Sequence, residues 1–284
     1  MKILILGVSG MLGNAMMRVL SEKSDWQVYG TLRSEGAKQF FSAEIAQRLI
    51  IGVDVEQYDS LIKAFATIRP DVVINCIGLI KQLSGADDPL MAIPTNSLLP
   101  HRLAGLSGLI EARLVHISTD CVFSGKKGNY RESDPSDAED LYGKSKFLGE
   151  LDYPHAITLR TSIIGHELQG GRSLIGWFLS QERQCKGFVK AIYSGLPTVV
   201  LAQLVRDVII PRTELSGLYH VAAQPISKYD LLRLVADVYG KAIEIIPDDK
   251  LVIDRSLNAD RFRDATGYIA PGWPKLIEQM HSYR

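Results

Sequence analysis

Ile3-Leu4-Ile5-Leu6-Gly7-Val8-Ser9-Gly10-Met11-Leu12-Gly13 is the stretch from which the fold can be read. Four apolar residues in a row, without alternation, suit a strand buried on both faces of a parallel sheet. Three glycines follow at intervals of three, and apolar residues then recur at helical spacing over Met11–Leu20. A glycine turn between strand and helix lets another group approach the backbone closely. The helix N-terminus beyond it offers free N–H groups and the positive end of its dipole. Gly7, Ser9, Gly10, Met11 and Leu12 are therefore candidates to cradle the phosphates of a dinucleotide. The spacing is GxxGxxG rather than GxGxxG, so its position between the first strand and the first helix is what gives it weight.

Outward from this turn the chain alternates. Strand-like runs occur at Trp26–Tyr29, Leu49–Val53, Val72–Ile77, Arg113–Ile117 and Ala156–Leu159, with helical patterns at Tyr58–Ile68, Pro89–Leu106 and Asp140–Leu151 between them. Continuous apolar strands alternating with helices predict an α/β fold, a Rossmann-type doubly wound parallel sheet with right-handed crossovers. After about residue 160 the alternation weakens. Helices are expected at Ser173–Gln181, Leu201–Ile210 and Ser227–Tyr239, and strands at Gly217–Val221 and Ile243–Ile246. Residues 1–160 are thus expected to form the dinucleotide-binding domain. Residues 161–284 are expected to form mainly a smaller mixed α/β lobe for substrate, with some segments returning to the first domain.

The 284 residues carry 32 Lys plus Arg against 32 Asp plus Glu, a formal net charge of zero. That balance argues against nucleic acid as a partner and against a polybasic membrane surface. The longest uncharged runs, residues 3–17 and 191–205, are short for a membrane span and are interrupted by glycine. The N-terminal run reads as a core strand rather than a signal peptide, so a cytoplasmic protein is expected. Three scattered cysteines, Cys76, Cys121 and Cys185, give neither a disulfide framework nor a metal clip, and no metal is expected.

At the end of the second strand, where an acid would hold the ribose hydroxyls of NAD, the chain reads Gly30-Thr31-Leu32-Arg33-Ser34. Arg33 can meet a 2′-phosphate, with Thr31 or Ser34 as hydroxyl donors, so NADP(H) is favoured and NAD(H) remains open. Asp54 and Val55 follow the third strand; Asp54 suits the adenine amino group or a helix cap equally. Tyr142 and Lys146, four apart, share one helix face. An ammonium near a phenol favours the phenolate, and such a tyrosine can exchange a proton with a carbonyl or alcohol. Ser118-Thr119-Asp120-Cys121-Val122 directly follows a strand, at the sheet edge where ligands of such folds bind.

Together these pieces resemble an extended short-chain dehydrogenase/reductase, most closely the dTDP-4-dehydrorhamnose reductase family of nucleotide-sugar reductases. The matching segments are Gly7–Gly13, Asn75-Cys76-Ile77-Gly78, Asn96 with Leu98-Leu99-Pro100, Ser118–Gly125, Tyr142–Glu150 and Leu159–Ser162, in family order over about the first 165 residues. The resemblance implies NADPH-dependent reduction of a nucleotide-linked 4-keto-6-deoxy sugar, in the synthesis of a deoxysugar for a surface polysaccharide such as lipopolysaccharide. It implies that Thr119 polarises the substrate oxygen, that Tyr142 is the general acid, and that Lys146 tunes Tyr142 and holds the nicotinamide ribose. Cys76, Ile77, Gly78 and Thr161 would line the cofactor. Lys81, Asp120, Cys121, Val122 and Arg255 would meet the substrate, Arg255 as a phosphate contact or else in a surface salt bridge. A homodimer is compatible with this reading.

Cys121 departs from the family pattern, which has tyrosine there, and the glutamate that dehydratases carry after the aspartate is absent. GDP-fucose synthases resemble the chain differently, with a catalytic cysteine two residues after the triad hydroxyl. That likeness leaves open a bifunctional epimerase/reductase using Cys121 with His166, against a small buried cysteine filling space. A nucleotide-sugar epimerase that retains NAD and a non-catalytic regulatory subunit also stay open.

Overall fold

The computed structural model describes every residue except 82–84, 86 and 284. In the first half β1 (Lys2–Leu6), α1 (Met11–Ser21), β2 (Gln27–Leu32), a short α2 (Ala43–Ala46), β3 (Leu49–Ile51), α3 (Tyr58–Ile68) and β4 (Val72–Asn75) follow in turn. Then come α4 (Pro89–Ala92), a π-helical stretch (Ile93–Leu98), α5 (Leu99–Leu109), β5 (Arg113–Thr119), α6 (Leu141–Leu148) and β6 (Ala156–Thr161). The long helix expected from Pro89 is therefore a helix that widens into a π turn part-way.

The main sheet has seven strands, all parallel, and β1 and β4 are neighbours at its centre. β2 and β3 lie to one side of this pair and β5 and β6 to the other, so the strand order reverses between β1 and β4. In such sheets ligands bind outside the carboxyl ends of the strands at that reversal. Ile3, Leu4, Ile5, Leu6, Val73 and Ile74 are fully buried, as strands covered on both faces require.

In the second half come β7 (Ile163–Ile164), α7 (Leu174–Ser180), β8 (Gln184–Phe188), β9 (Ala191–Tyr193), β10 (Leu196–Pro197), α8 (Thr198–Leu204) and β11 (Gly217–His220). They are followed by β12 (Ile226–Ser227), α9 (Lys228–Tyr239), β13 (Glu244–Asp248), β14 (Ile253–Asp254), α10 (Asp260–Thr266) and α11 (Trp273–Ser282). β11 returns to the main sheet as its seventh strand, beside β6. α8 packs on α1, so one apolar core runs from Ile3 to Trp273 and Met280. The separate part is two small sheets, β12–β9–β14 and β13–β8. Pro247 lies within β13 rather than ending it. With β8 as its one neighbour, the strand has a free edge where a missing N–H costs nothing. Among the described residues no helix is long and apolar enough to cross a membrane.

Candidate active site

The glycine turn is built as a backbone cradle. Gly7 has φ of +83°, and a methyl there would meet the Ile77 side chain at 2.7 Å. Gly13 packs so closely on the turn that a methyl would overlap the Gly7 carbonyl oxygen and stand 2.9 Å from the Val8 Cα. Gly10 occupies the N-cap of α1 without a capping side chain, and Ser9 and Gly10 are exposed. The N–H groups of the first turn, at Met11 and Leu12, have no intrahelical acceptor. Phosphate oxygens suit such donors, so the residues present fit a dinucleotide. The Leu12 side chain is buried in the core, which leaves its backbone N–H as the group it can offer.

Arg33 and Ser34 lie exposed just past β2. Thr31 does not join them. It is buried and its hydroxyl accepts the Gly7 N–H at 3.2 Å, so it holds the cradle instead of facing a 2′-phosphate. Asp54 folds its turn before α3. Its Oδ1 accepts the Glu56 N–H at 3.1 Å and its carbonyl accepts the Ser60 hydroxyl at 2.6 Å. Half-buried Val55 packs beside the core of that face.

β4 stops two residues before its expected end because Asn75 turns the chain out of the sheet. Its Oδ1 accepts the Ile77 N–H at 3.1 Å, while its Nδ2 donates to His116 Nδ1 at 3.1 Å. The next grip is Asn96, in the π-helical stretch. It accepts the Leu79 N–H at 2.8 Å and donates both to the Leu79 carbonyl and to the Ser145 hydroxyl, each at 3.1 Å. Ser145 lies on α6 between Tyr142 and Lys146. Asn96 therefore locks the Cys76–Leu79 segment to the helix bearing the tyrosine and lysine. The sequence alone gives Asn96 no role, since no spacing connects residues 79, 96 and 145. Gly78 sits over Lys146, with its absent methyl only 3.8 Å from Nζ. Cys76 packs against the core, and burial pushes its thiol up to about 12, so it is a neutral wall of the site.

Asp140 caps α6, its Oδ1 accepting the Gly143 N–H at 2.7 Å. Its other oxygen pairs with Lys81 at 2.6 Å, and the Lys81 ammonium lies 5.7 Å from the Tyr142 ring centroid. The Thr119 hydroxyl lies near enough to favour the Tyr142 phenolate. Burial nevertheless raises its phenol well above the ordinary value, and the nearby Cys121, Asp120 and Asp140 push the same way. Lys146 is 5% exposed and donates to the Ile117 carbonyl at 2.8 Å. Burial lowers it to about 8, and Glu150 and Cys76 oppose that shift. The phenol is thus held protonated. Cys121, Asp120 and Asp140 border the phenol, and Glu150 and Cys76 border the ammonium.

Thr119, at the end of β5, stands in register with Thr161 of β6. Its hydroxyl accepts the Cys121 N–H and donates to Asp120 Oδ1. Asp120 is buried and raised by that burial, with Arg255 countering. Arg255 enters just after β14. Its Nε donates to the Phe123 carbonyl at 2.7 Å and its Nη1 reaches Cys121 Sγ at 3.7 Å. It therefore belongs to the site and makes no surface ion pair among the described residues. Tyr193, buried near Asp120 and Ser162, joins them from β9.

One expected contact fails, and one open alternative loses its support. Val122 is completely buried with Phe123, Tyr130 and Leu257, and its carbonyl accepts from Ser136 and Ala138, so its side chain faces the protein rather than a ligand. Cys121 is not an activated thiol. Burial and then Asp120 raise it to about 11, against the weaker pull of Arg255 and Lys81. His166, its suggested partner, instead hydrogen-bonds Tyr239 of α9 at 2.8 Å, in a hollow shared with Met11, Arg18 and Met280. No group of three or more metal-ligating side chains occurs among the described residues.

The family model described as the RmlD substrate binding domain matches residues 1–253. The chain belongs to this family. A dTDP-4-dehydrorhamnose reductase of Aggregatibacter actinomycetemcomitans is 25% identical over 99% of both chains. The methionine adenosyltransferase 2 subunit beta of Xenopus tropicalis is 26% identical over 84% of this chain and 72% of that one. Among solved structures, a dTDP-4-dehydrorhamnose reductase of Bacillus anthracis in complex with NADP superposes with a TM-score of 0.80 at 20% identity, covering 100% of this chain and 98% of the other. The family and the doubly wound sheet are those expected from the sequence.

Proposed function

We propose that the protein is an NADPH-dependent reductase of the 4-keto group of a nucleotide-linked 4-keto-6-deoxy sugar. The observation that carries this reading is Tyr142, held protonated beside Thr119 at the open strand ends, across the sheet reversal from an uncapped glycine cradle. The similarity to reductases of this class supports it.

In this reading Gly7, Ser9, Gly10 and the N–H groups of Met11 and Leu12 hold the pyrophosphate, and Arg33 meets a 2′-phosphate. Asp54 and Val55 flank the adenine. Cys76, Ile77, Gly78 and Thr161 wall the nicotinamide half. The bound cofactor supplies a hydride to C4 of the sugar. Thr119 orients the ketone oxygen by hydrogen bonding. Tyr142 gives its phenolic proton to that oxygen as the carbonyl becomes an alcohol, and the Lys146 ammonium stabilises the phenolate left behind. Lys81, Asp120 and Cys121 border the sugar, and Arg255 offers its remaining guanidinium donors to the nucleotide phosphates. A raised phenol suits reduction, in which tyrosine must begin as an acid.

The reading extends to a cytoplasmic reaction serving surface polysaccharide synthesis. It also includes a homodimer formed through exposed Leu90, Ile93, Leu98, Phe147 and Leu148 on neighbouring helices. A thiol raised to about 11 does not favour Cys121 as a proton-abstracting base.

The test is NADPH oxidation with a panel of dTDP-, UDP- and GDP-linked 4-keto-6-deoxy sugars. Turnover with one of them, lost in Tyr142→Phe while NADPH binding persists, is expected. Absence of oxidation with every sugar overturns the reading. A biological activity that survives Tyr142→Phe would assign a regulatory subunit.

A further inference from the structure

The end of α6 carries a buried charged cluster that the proposed reaction does not itself use. Glu150, one helical turn beyond Lys146, points inward with a side chain only 10% exposed, and Arg160 of β6 opposite it is 2% exposed. The pair is bidentate, with Arg160 Nη2 2.6 Å from Oε2 and Nε 2.7 Å from Oε1. Oε1 also accepts the Ser118 hydroxyl at 2.7 Å. Ser118 is the residue before Thr119, so this bond fixes the strand end on which Thr119 stands. Behind Arg160 its Nη1 meets His220 Nε2 at 3.3 Å, and His220 Nδ1 donates to the Tyr130 carbonyl at 3.0 Å. His220 is thereby fixed as the Nδ1–H tautomer, with Nε2 as acceptor. Phe123 lies under the guanidinium, 5.1 Å from its ring centroid.

The groups facing Lys146 come from three elements. The Ile117 carbonyl and neutral His116 belong to β5, the Cys76 thiol follows β4, and Glu150 follows α6. Of these Glu150 is the one held in an ion pair, with Arg160. A buried ammonium needs such a charge, since burial alone drives it toward the amine.

We propose that Glu150 is a positioning residue for the reaction. One carboxylate, gripped by Arg160, fixes the strand end that carries Thr119 and supplies the buried negative charge that keeps Lys146 cationic. The role in turnover rests on the reductase reading; the charge coupling does not, and it is tested without turnover.

The experiment follows the Lys146 ε-methylene signal by NMR in protein labelled with 13C-lysine, titrated with pH and assigned with Lys146→Met. In the wild type its midpoint is expected at about 8. Glu150→Gln keeps an oxygen for Ser118 but removes the charge. The midpoint then falls by about one pH unit, the scale of a lost opposite charge nearby, and Glu150→Asp restores it. In turnover assays the same shift appears as roughly a fivefold loss of kcat/KM at pH 8 and little change at pH 6. Because Gln leaves Arg160 unpaired, Glu150→Gln/Arg160→Met is the companion that keeps the interior neutral if the single variant does not fold. An unchanged midpoint in either folded variant overturns the proposal. So does a wild-type Lys146 that titrates like an exposed lysine, because burial would then leave nothing for Glu150 to offset.

Discussion

Gly143 lies where the catalytic helix meets the turn after Thr119, and a single methyl there tests the whole arrangement. A side chain at Gly143 would overlap the Cys121 carbonyl oxygen and stand 2.6 Å from the Ala138 Cβ. Carbon atoms pack at about 3.5–4.0 Å, so Gly143→Ala requires α6 and the turn at residues 120–122 to separate by roughly 1 Å. Tyr142 moves with the helix and Thr119 stays with the strand, so the two side chains move apart by a similar amount. A misplacement of about 1 Å between reacting groups costs on the order of 100-fold, or about 2.7 kcal/mol of barrier. The overpacked contact costs about 1–3 kcal/mol of stability. NADPH binding should hold, because the cradle is built on β1 and α1. Three measurements decide: kcat/KM for NADPH oxidation with the accepted sugar, NADPH Kd by fluorescence, and thermal melting. Gly105→Ala is the control, for an exposed helix position with nothing within 4 Å, and should gain about 0.5–1 kcal/mol. A Gly143→Ala protein that melts like the wild type and turns over within about threefold of it would refute this account of how Tyr142 is placed.

Arg33→Ala should weaken NADPH binding by roughly 10- to 100-fold, the worth of one charge-assisted contact, and leave NADH nearly untouched. An equal loss for both cofactors would remove Arg33 from the 2′-phosphate. Stability should decline as pH falls below about 6.5. Burial, with Arg160 adding to it, lowers His220 to about 3 in the folded protein, so between those values the unfolded chain binds a proton that the folded chain refuses. The slope is about 1.4 kcal/mol per pH unit for this one group. Fully buried His116 acts in the same direction. Urea unfolding of the wild type and His220→Asn at several pH values measures it, and identical slopes would show that His220 is not the source.

The features legible in the sequence are those whose signals are local. The strand–glycine–helix junction at Gly7 and the Tyr142–Lys146 spacing each lie within one or two turns of chain, and both stand where the pattern puts them. β4 reads two residues too long in sequence because its apolar run continues to Ile77, whereas the Asn75 side chain ends the strand from within. β8, β9 and β14 are two to five residues long and take their pairing from strands far along the chain, so no local period marks them. Glu150 and Arg160 fall in matched segments without a role of their own, and His220 carries no signal in sequence; only the sheet brings α6, β6 and β11 together around them. His166, suggested as a partner for Cys121 by its region of the chain, bonds Tyr239 instead, a pairing that only the fold reveals.

The balanced charge of the chain acquires a different meaning once the cations are placed. With 32 basic and 32 acidic residues there is no excess to draw anionic ligands from a distance. The proposed phosphate and ribose contacts must therefore come from groups already aimed. Lys81 is held by Asp140, Arg255 by the Phe123 carbonyl, and Lys146 by the Ile117 carbonyl. Among the described residues each is fixed by a bond that leaves other N–H donors of the same group unspent. The reorganisation that a flexible surface lysine would undergo on binding has in these three been met during folding. Asp140 shows how closely this is arranged. One of its oxygens caps α6 at Gly143 and the other holds Lys81, so a ligand phosphate that competes for Lys81 leaves the cap, and with it Tyr142, in place.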